Sequence, residues 1–152
     1  MAKTFLLGME AKLYYSAASE TPATLDPASM TEVSNVKDLT LTMEASDADI
    51  TTRANSGWRA TAPTLRECTC EFQMQFKPSD VAFMAIRTAF VTAGEIALAP
   101  LTDAHDVLGA FGPVGNFTIT NFSVNQPLEE AITVDVTAKL SAFGSLYEKI
   151  DE

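Results

Sequence analysis

The sequence predicts a mainly β, α+β fold: an antiparallel β-sandwich or partial barrel with one flanking helix and long loops. Three observations carry this. At least four runs alternate apolar with polar side chains at a period of two, as strands with one buried and one wet face do. A single run at helical spacing lies between two of them, and two long polar connections separate others. Antiparallel sheets are the kind that leave a face in water, so the strands are expected to pair that way.

At 152 residues the chain is close to the usual size of one domain and can bury a core without staples, so residues 1–152 are expected to form a single domain. Ten Lys and Arg against twenty Asp and Glu leave a formal charge of −10, which opposes binding to phosphate backbones or to an anionic membrane. The only cysteines, Cys68 and Cys70, share one face of a strand, where their backbones are too far apart for easy bridging, and two sulfurs fall short of a zinc site. Reduced, buried thiols are expected. The N-terminal MAKTFLLGMEAK has too short an apolar patch for a signal peptide, and no run approaches the ~20 apolar residues of a membrane span. This suits a soluble protein made in a reducing cytoplasm.

Residues 1–9 read as an apolar N-terminal arm and residues 10–16 (EAKLYYS) as a first short strand. Pro22 and Pro27 bar regular structure from 17–31, which reads as a long exposed connection. Residues 33–44 resume a strand, with Leu39, Leu41 and Met43 on one face and Thr40, Thr42 and Glu44 on the other. Residues 45–63 then read as a long inter-strand loop, with Asn55, Ser56 and Gly57 at its tip and Trp58 beside Arg53 and Arg59. Connections beyond about 12–15 residues are usually functional or disordered, and Trp and Arg are enriched at binding hot spots. The competing reading folds Trp58 back onto its own domain.

Residues 65–76 alternate most cleanly, with Cys68, Cys70, Phe72, Met74 and Phe76 against Thr69, Glu71, Gln73 and Gln75. Ser79 as N-cap, Asp80 in the first turn and Gly94 as the stop predict a helix over 80–93. Its apolar residues run nearly all the way round, so more than one side must be covered. Val81, Met84, Ala85 and Thr88 are assigned to its own sheet, leaving Phe83, Ile86 and Phe90 for a loop or a neighbouring subunit.

Residues 95–101 form a short strand whose Pro100 suits a sheet edge. Residues 103–115 read as a loop with Gly109, Gly112 and Gly115 as turn residues and Asp103, His105 and Asp106 solvated. Without a further ligand or a nucleophile this cluster is a weak signal for metal or acid–base chemistry. No catalytic, cofactor-binding or metal site is expected in the chain. The last two strands lie in 116–141. Ile132, Val134, Val136, Ala138 and Leu140 point one way and Thr133, Asp135, Thr137 and Lys139 the other. In the preceding run Phe117 and Ile119 have one parity and Phe122 and Val124 the opposite one, which predicts a bulge near Thr120 and Asn121. Residues 142–152 are left as a short C-terminal tail.

This order of segments resembles the tail tube (major tail) proteins of long-tailed bacteriophages. The residues that carry the likeness are NVKDLTLTMEASDADITTR, the loop ending SGWRATAPTLRE, the strand CTCEFQMQF, the helix, and NFTITNFSVNQPLEEAITVDVTAKLS. It covers roughly 33–141 and rests on segment order, the Asp49 to Arg53 run and the Pro127-Leu128-Glu129 turn, with no catalytic signature. The resemblance implies a structural virion protein, assembled in the host cytoplasm, whose copies close into hexameric rings that stack into a tube. The genome would pass through without specific binding, and no membrane or cofactor is involved. The implied partners are further copies of the chain and other tail proteins such as the tape measure, terminator and baseplate or tip. Thr40, Thr42, Glu44, Thr69, Glu71, Gln73, Gln75, Thr133, Asp135 and Thr137 would then face the lumen. Arg53, Trp58 and Arg59 would serve ring stacking, and Phe83, Ile86 and Phe90 the subunit interface.

A secretion-tube subunit or another tail component shares this architecture and is the nearest alternative. A small-ligand-binding β-barrel would show an apolar interior pocket and stay monomeric. An enzyme would need a pocket around His105.

Overall fold

The computed structural model describes residues 7–16 and 25–150. Seven strands form one antiparallel sheet in the order β2-β1-β5-β6-β7-β4-β3. They are β1 (Lys12–Ser16), β2 (Thr31–Glu32), β3 (Val36–Asp49), β4 (Thr61–Gln75), β5 (Glu95–Leu101), β6 (Phe111–Asn125) and β7 (Thr133–Glu148), with one helix, α1 (Val81–Val91), between β4 and β5. The sheet has two edges and is not closed into a barrel, so the interior pocket of a ligand-binding barrel is not formed among the described residues.

The long pair β6–β7 is the spine. Its first part, Phe111↔Glu148 to Asn116↔Ala142, leads into the β5 pairing at Gly115 to Thr118, while its second part, Asn121↔Thr137 to Asn125↔Thr133, pairs onward with β4. Register shifts at Val114/Gly115, Asn116/Phe117 and Ile119/Asn121 bend the spine between the two parts, because each extra residue adds local twist. The last shift is the bulge expected at Thr120 and Asn121. The bend lets β1 and β5 share a core with β4 and β7: Leu13, Tyr15, Ile96 and Leu98 meet Cys70, Phe72, Met74, Val134 and Val136 around Phe117. Burying each such large side chain stabilises by about 1.5–3 kcal/mol. A smaller cluster of Tyr14, Leu25, Ala97, Ala99, Leu101 and Val114 forms separately.

Several boundaries move relative to the sequence reading. The segment 45–63 is largely hairpin, since β3 runs to Asp49 and β4 begins at Thr61, leaving only 50–60 as the connection. Pro63 is tolerated inside β4 because it pairs with Asp47 beside a register shift at Ala45/Asp47. The stretch 111–115 is strand, and so is 142–148, which completes β7 where a tail was expected. Gly112 and Gly115 are therefore not turn residues. A Cβ at Gly112 would collide with the Pro100 carbonyl oxygen, and one at Gly115 with that of Ala142, so strand crossing demands glycine there. Strand β5 is internal, between β1 and β6, and not at an edge. Its Pro100 lies past the last β5–β6 pair, Leu98↔Gly115, where no ladder donor on that side is called for.

The residues 1–6 of the expected N-terminal arm, and 17–24 of the expected connection, lie outside the described residues. The rest of the arm contributes a single 3-10 turn, Gly8–Glu10. The rest of the connection is not simply exposed: Leu25 and Pro27 are buried, Asp26 caps a 3-10 turn, and β2 pairs with β1.

Candidate functional site

The second part of the sheet, β6-β7-β4-β3, has one wet face. Cross-strand register sets Thr40 opposite Glu71, Thr42 opposite Thr69 and Glu44 opposite Glu67, then Glu71 opposite Thr137, Gln73 opposite Asp135 and Gln75 opposite Thr133. All ten polar residues assigned by parity thus lie on one surface, none of them buried. The sequence reading missed Asp38 and Glu67 on this face, and also Asn121, Ser123 and Asn125, which pair with Thr137, Asp135 and Thr133. Carrying parity through the expected bulge would have placed those three. Two amides hold Asp135 from either side: Gln73 Nε2 donates to one carboxylate oxygen at 3.0 Å and Asn125 Nδ2 to the other at 2.8 Å. Asp38, Glu44, Glu67, Glu71 and Asp135 give this face five carboxylates against the single ammonium of Lys139.

Both edges of this four-stranded unit are open. β3 ends the sheet order, and beyond Thr118 β6 pairs with β7 alone among the described residues. Unpaired strand edges present rows of N–H and C=O groups that template pairing with another chain. β6 runs antiparallel to β7, β7 to β4 and β4 to β3, so a β6 edge set against a second copy's β3 edge would continue the antiparallel alternation.

At one end the β3–β4 hairpin projects as an arm. Its tip is held by its own hydrogen bonds: Ile50 N–H donates to Ala60 O at 3.0 Å, Ala60 N–H to Thr51 Oγ1 at 2.8 Å, and Trp58 N–H to Asn55 O at 2.9 Å. Asn55 Nδ2 closes back on Trp58 O at 2.8 Å, and Ser56 and Gly57 take the left-handed conformation that turns the chain. Asp49 accepts from Thr51 N–H at 2.9 Å, and hydrogen bonds from Thr51 hold its carboxyl below the usual range. Trp58 is 76% exposed with Arg53 and Arg59 also exposed, so it does not fold back onto its own domain. The β4–β7 pairing ends at Thr69↔Lys139 although both strands continue, opening a groove of about 520 Å³ lined by Met43, Cys68, Leu140, Phe143, Leu146 and Arg66 among others.

The helix is turned the other way from the sequence assignment. Ala82, Phe83, Ile86 and Ala89 are buried, while Val81, Met84 and Thr88 are exposed and Ala85 is half-buried. Phe83 and Ile86 are core residues with no exposed surface, Phe83 packing edge-on to Phe76 at 4.9 Å between centroids. They are not available to a neighbouring subunit. Phe90 is 40% exposed and stacks on Phe122 at 5.8 Å, so it alone of the three reaches the surface. The N-cap is Asp80, one residue beyond Ser79, and it makes no side-chain cap bond. At the other end Ala93, not Gly94, takes the left-handed conformation; Ala93 N–H donates to Phe90 O and Gly94 N–H to Ala89 O, the Schellman pattern.

The Asp103, His105 and Asp106 loop is a structural tie. Asp103 is buried and accepts from Ala104 N–H at 2.8 Å, whereas Asp106 is exposed. His105 N–H donates to Tyr14 Oη at 3.2 Å, and Tyr147 Oη–H donates to His105 O at 2.6 Å. The expectation of solvated residues fails for Asp103 and His105, because the loop is pinned between β1 and β7. No group of three or more His, Cys, Asp or Glu that could hold a metal occurs among the described residues. Cys68 and Cys70 are free and buried; burial, with Cys68 and Glu71 nearby, pushes the Cys70 thiol up to about 12.

No protein-family model and no curated protein matches the chain. Solved structures do. A chain in the virion of a native gene transfer agent particle is 16% identical, with a TM-score of 0.68 over 93% of this chain and 97% of that one. A chain in the tail of an empty gene transfer agent particle of C6 symmetry is 14% identical, with a TM-score of 0.69 over the same shares. A chain of the SPP1 tail tube is 14% identical, with a TM-score of 0.69 over 97% of this chain and 81% of that one. Along nearly its whole length, the chain has the fold found in these tail and tail-tube structures.

Proposed function

We propose that the chain is a structural, non-enzymatic tail tube subunit of a phage-like virion, six copies closing into a ring and rings stacking into a tube. The observation that carries this is the polar-faced β6-β7-β4-β3 unit with both edges open. Pairing the β3 edge of one copy with the β6 edge of the next buries both edges without altering either fold. Six such units would give about 24 strands, beyond the 16–18 that already enclose an aqueous channel. With strands ~4.8 Å apart and tilted by ~40°, the backbone diameter is on the order of 48 Å, enough for a duplex. C6 symmetry in one of the structural neighbours supports the ring number.

In that ring Thr40, Thr42, Glu44, Thr69, Glu71, Gln73, Gln75, Thr133, Asp135 and Thr137 line the lumen, together with Asp38, Glu67, Asn121, Ser123 and Asn125. The surplus of carboxylates repels phosphates, so DNA slides without adhering. Arg53, Trp58 and Arg59 at the arm tip contact the adjacent ring, and the arm's internal hydrogen bonds lower the ordering cost of that contact. Phe90, with Val81, Met84 and Val91, gives the helix an outer apolar face for a neighbouring subunit. Other tail proteins, tape measure, terminator and baseplate or tip, would meet the tube ends, and assembly would take place in the host cytoplasm. Negative-stain imaging and sedimentation of the purified chain test the reading: hollow rings or filaments are expected as concentration rises. A monomer at every concentration and salt would overturn it.

A further inference from the structure

The arm tip and the β6–β7 turn lie at opposite ends of the same sheet. Strand β4 begins at Thr61, opposite Asp49 under the arm tip, and ends at Gln75, opposite Thr133 beside the turn. Its 15 residues span about 46 Å at ~3.3 Å per residue. The two ends differ in chemistry. The tip presents Arg53 and Arg59 around Trp58 and Ile50, both exposed, and neither arginine forms a salt bridge among the described residues. The turn presents Leu128, fully exposed, followed by Glu129 and Glu130, also exposed and without a salt bridge among the described residues. Each end thus pairs an apolar knob with two like charges, opposite in sign from the other end.

We propose that the arm tip of one copy docks on the β6–β7 turn of a copy in the next ring, Arg53 and Arg59 meeting Glu129 and Glu130 while Trp58 and Ile50 cover Leu128. The proposal rests on the tail tube reading and names the receptor that the reading leaves open. The contact is heterologous, one end of the chain against the other end of an identical chain, so it repeats without closing and generates a stack. Because neither end can pair with itself, it also fixes polarity: arm-to-arm contact sets four arginines together and turn-to-turn contact four glutamates, both repelled.

The test is charge reversal in the full-length chain, read by sedimentation and negative stain with circular dichroism for the fold. Arg53→Glu with Arg59→Glu, and separately Glu129→Arg with Glu130→Arg, are expected to keep the fold and form rings while raising the concentration needed for filaments tenfold or more. All four substitutions in one chain, or the two double variants mixed, should restore filaments, since each mixture pairs a reversed tip with a reversed turn or a parental tip with a parental turn. Stacking lost in both double variants and not restored by either combination would overturn the proposal while leaving the tube reading intact. So would rescue of the glutamate reversal by Arg66→Glu in place of the tip changes, which would seat the turn in the groove beside β4. Absence of rings and filaments in the parent would instead refute the tube reading itself.

Discussion

Replacing Phe83 by alanine separates a core residue from an interface residue, a distinction that spacing alone does not make on this helix. Phe83 has no exposed surface and contacts Phe76 at 4.9 Å and Phe122 at 5.9 Å between ring centroids. Deleting a buried Phe to Ala costs about 3–5 kcal/mol, the transfer of the ring plus the cavity left behind. Against a total stability of roughly 5–15 kcal/mol that is a large fraction, and at ~2–4 °C per kcal/mol it lowers Tm on the order of 10 °C. Phe90→Ala is the matched control. Its ring is 40% exposed and its contact is stacking on Phe122, so a loss of about 1 kcal/mol is expected. Urea unfolding followed by circular dichroism, at a concentration where the protein is monomeric, measures both. If Phe83→Ala unfolds within about 1 kcal/mol of the parent yet fails to assemble, the helix presents Phe83 outward and the placement above is wrong.

Two further perturbations probe the core chemistry and the spine. Burial, with Cys68 and Glu71 nearby, pushes the Cys70 thiol from its ordinary 9.0 up to about 12, so the unfolded state releases its proton first. Stability contributed by the neutral thiol is complete below pH 9 and is lost between pH 9 and 12, by up to about 4 kcal/mol at 1.36 kcal/mol per unit. Tyr15 and Tyr147, also raised by burial, add to the parent's alkaline slope, so the quantity to compare is the difference between parent and Cys70→Ala in denaturation midpoint against pH; parallel curves would contradict the burial. Gly115→Ala would thrust a methyl against the Ala142 carbonyl and the Gly144 amide, both backbone, and should destabilise by about 1–3 kcal/mol, whereas Gly8→Ala meets nothing within 4 Å. Equal unfolding midpoints for the two glycine variants would show that β6 and β7 are not so close.

Strand faces were legible because alternation is a direct record of which side chains meet water. The pattern from Cys68 to Met74 and from Ile132 to Ala138 located the core side, and the parity break between Ile119 and Phe122 located the bulge. The helix was not legible in the same way: Val81, Phe83, Met84, Ile86, Phe90 and Val91 surround its axis, so spacing alone does not choose a buried side. What chooses it is the aromatic contact of Phe83 with Phe76 across the turn from β4 and with Phe122, which is distant in sequence. Strand ends were hidden for another reason. Pro63, Gly112, Pro113 and Gly115 are turn residues by local propensity, yet they sit in strands where a bulge excuses the missing donor or a crossing backbone excludes a side chain. The arm tip is legible at Asn55 to Gly57, where Ser56 and Gly57 supply the left-handed conformation that this turn uses.

The two outer edges of the sheet differ in a way that solvent exposure does not explain. At one side β2 has two residues, too short to template a partner. At the other, β3 has 14, and between its register shifts at Val36/Asp38 and Ala45/Asp47 it runs DLTLTMEA, with neither proline nor lysine to block pairing. Proline and lysine are two of the devices that blunt an edge in sheets that remain monomeric, and β3 confines another, the bulge, to the two ends of this stretch. The acidic face beside it acts in the opposite sense: Glu44 stands directly across from Glu67, a like-charged pair that costs stability in the single chain and discourages two such faces from packing together. A sheet that repels through its face and leaves its edge open favours lateral continuation of the strands over face-to-face packing of two such sheets. Twist turns that continuation into a curve, which closes into a ring where the rotation per step divides a full turn. In the proposed ring the acidic surface would lie on a wall shared by every copy, where the repulsion that is a cost to each chain would serve the channel.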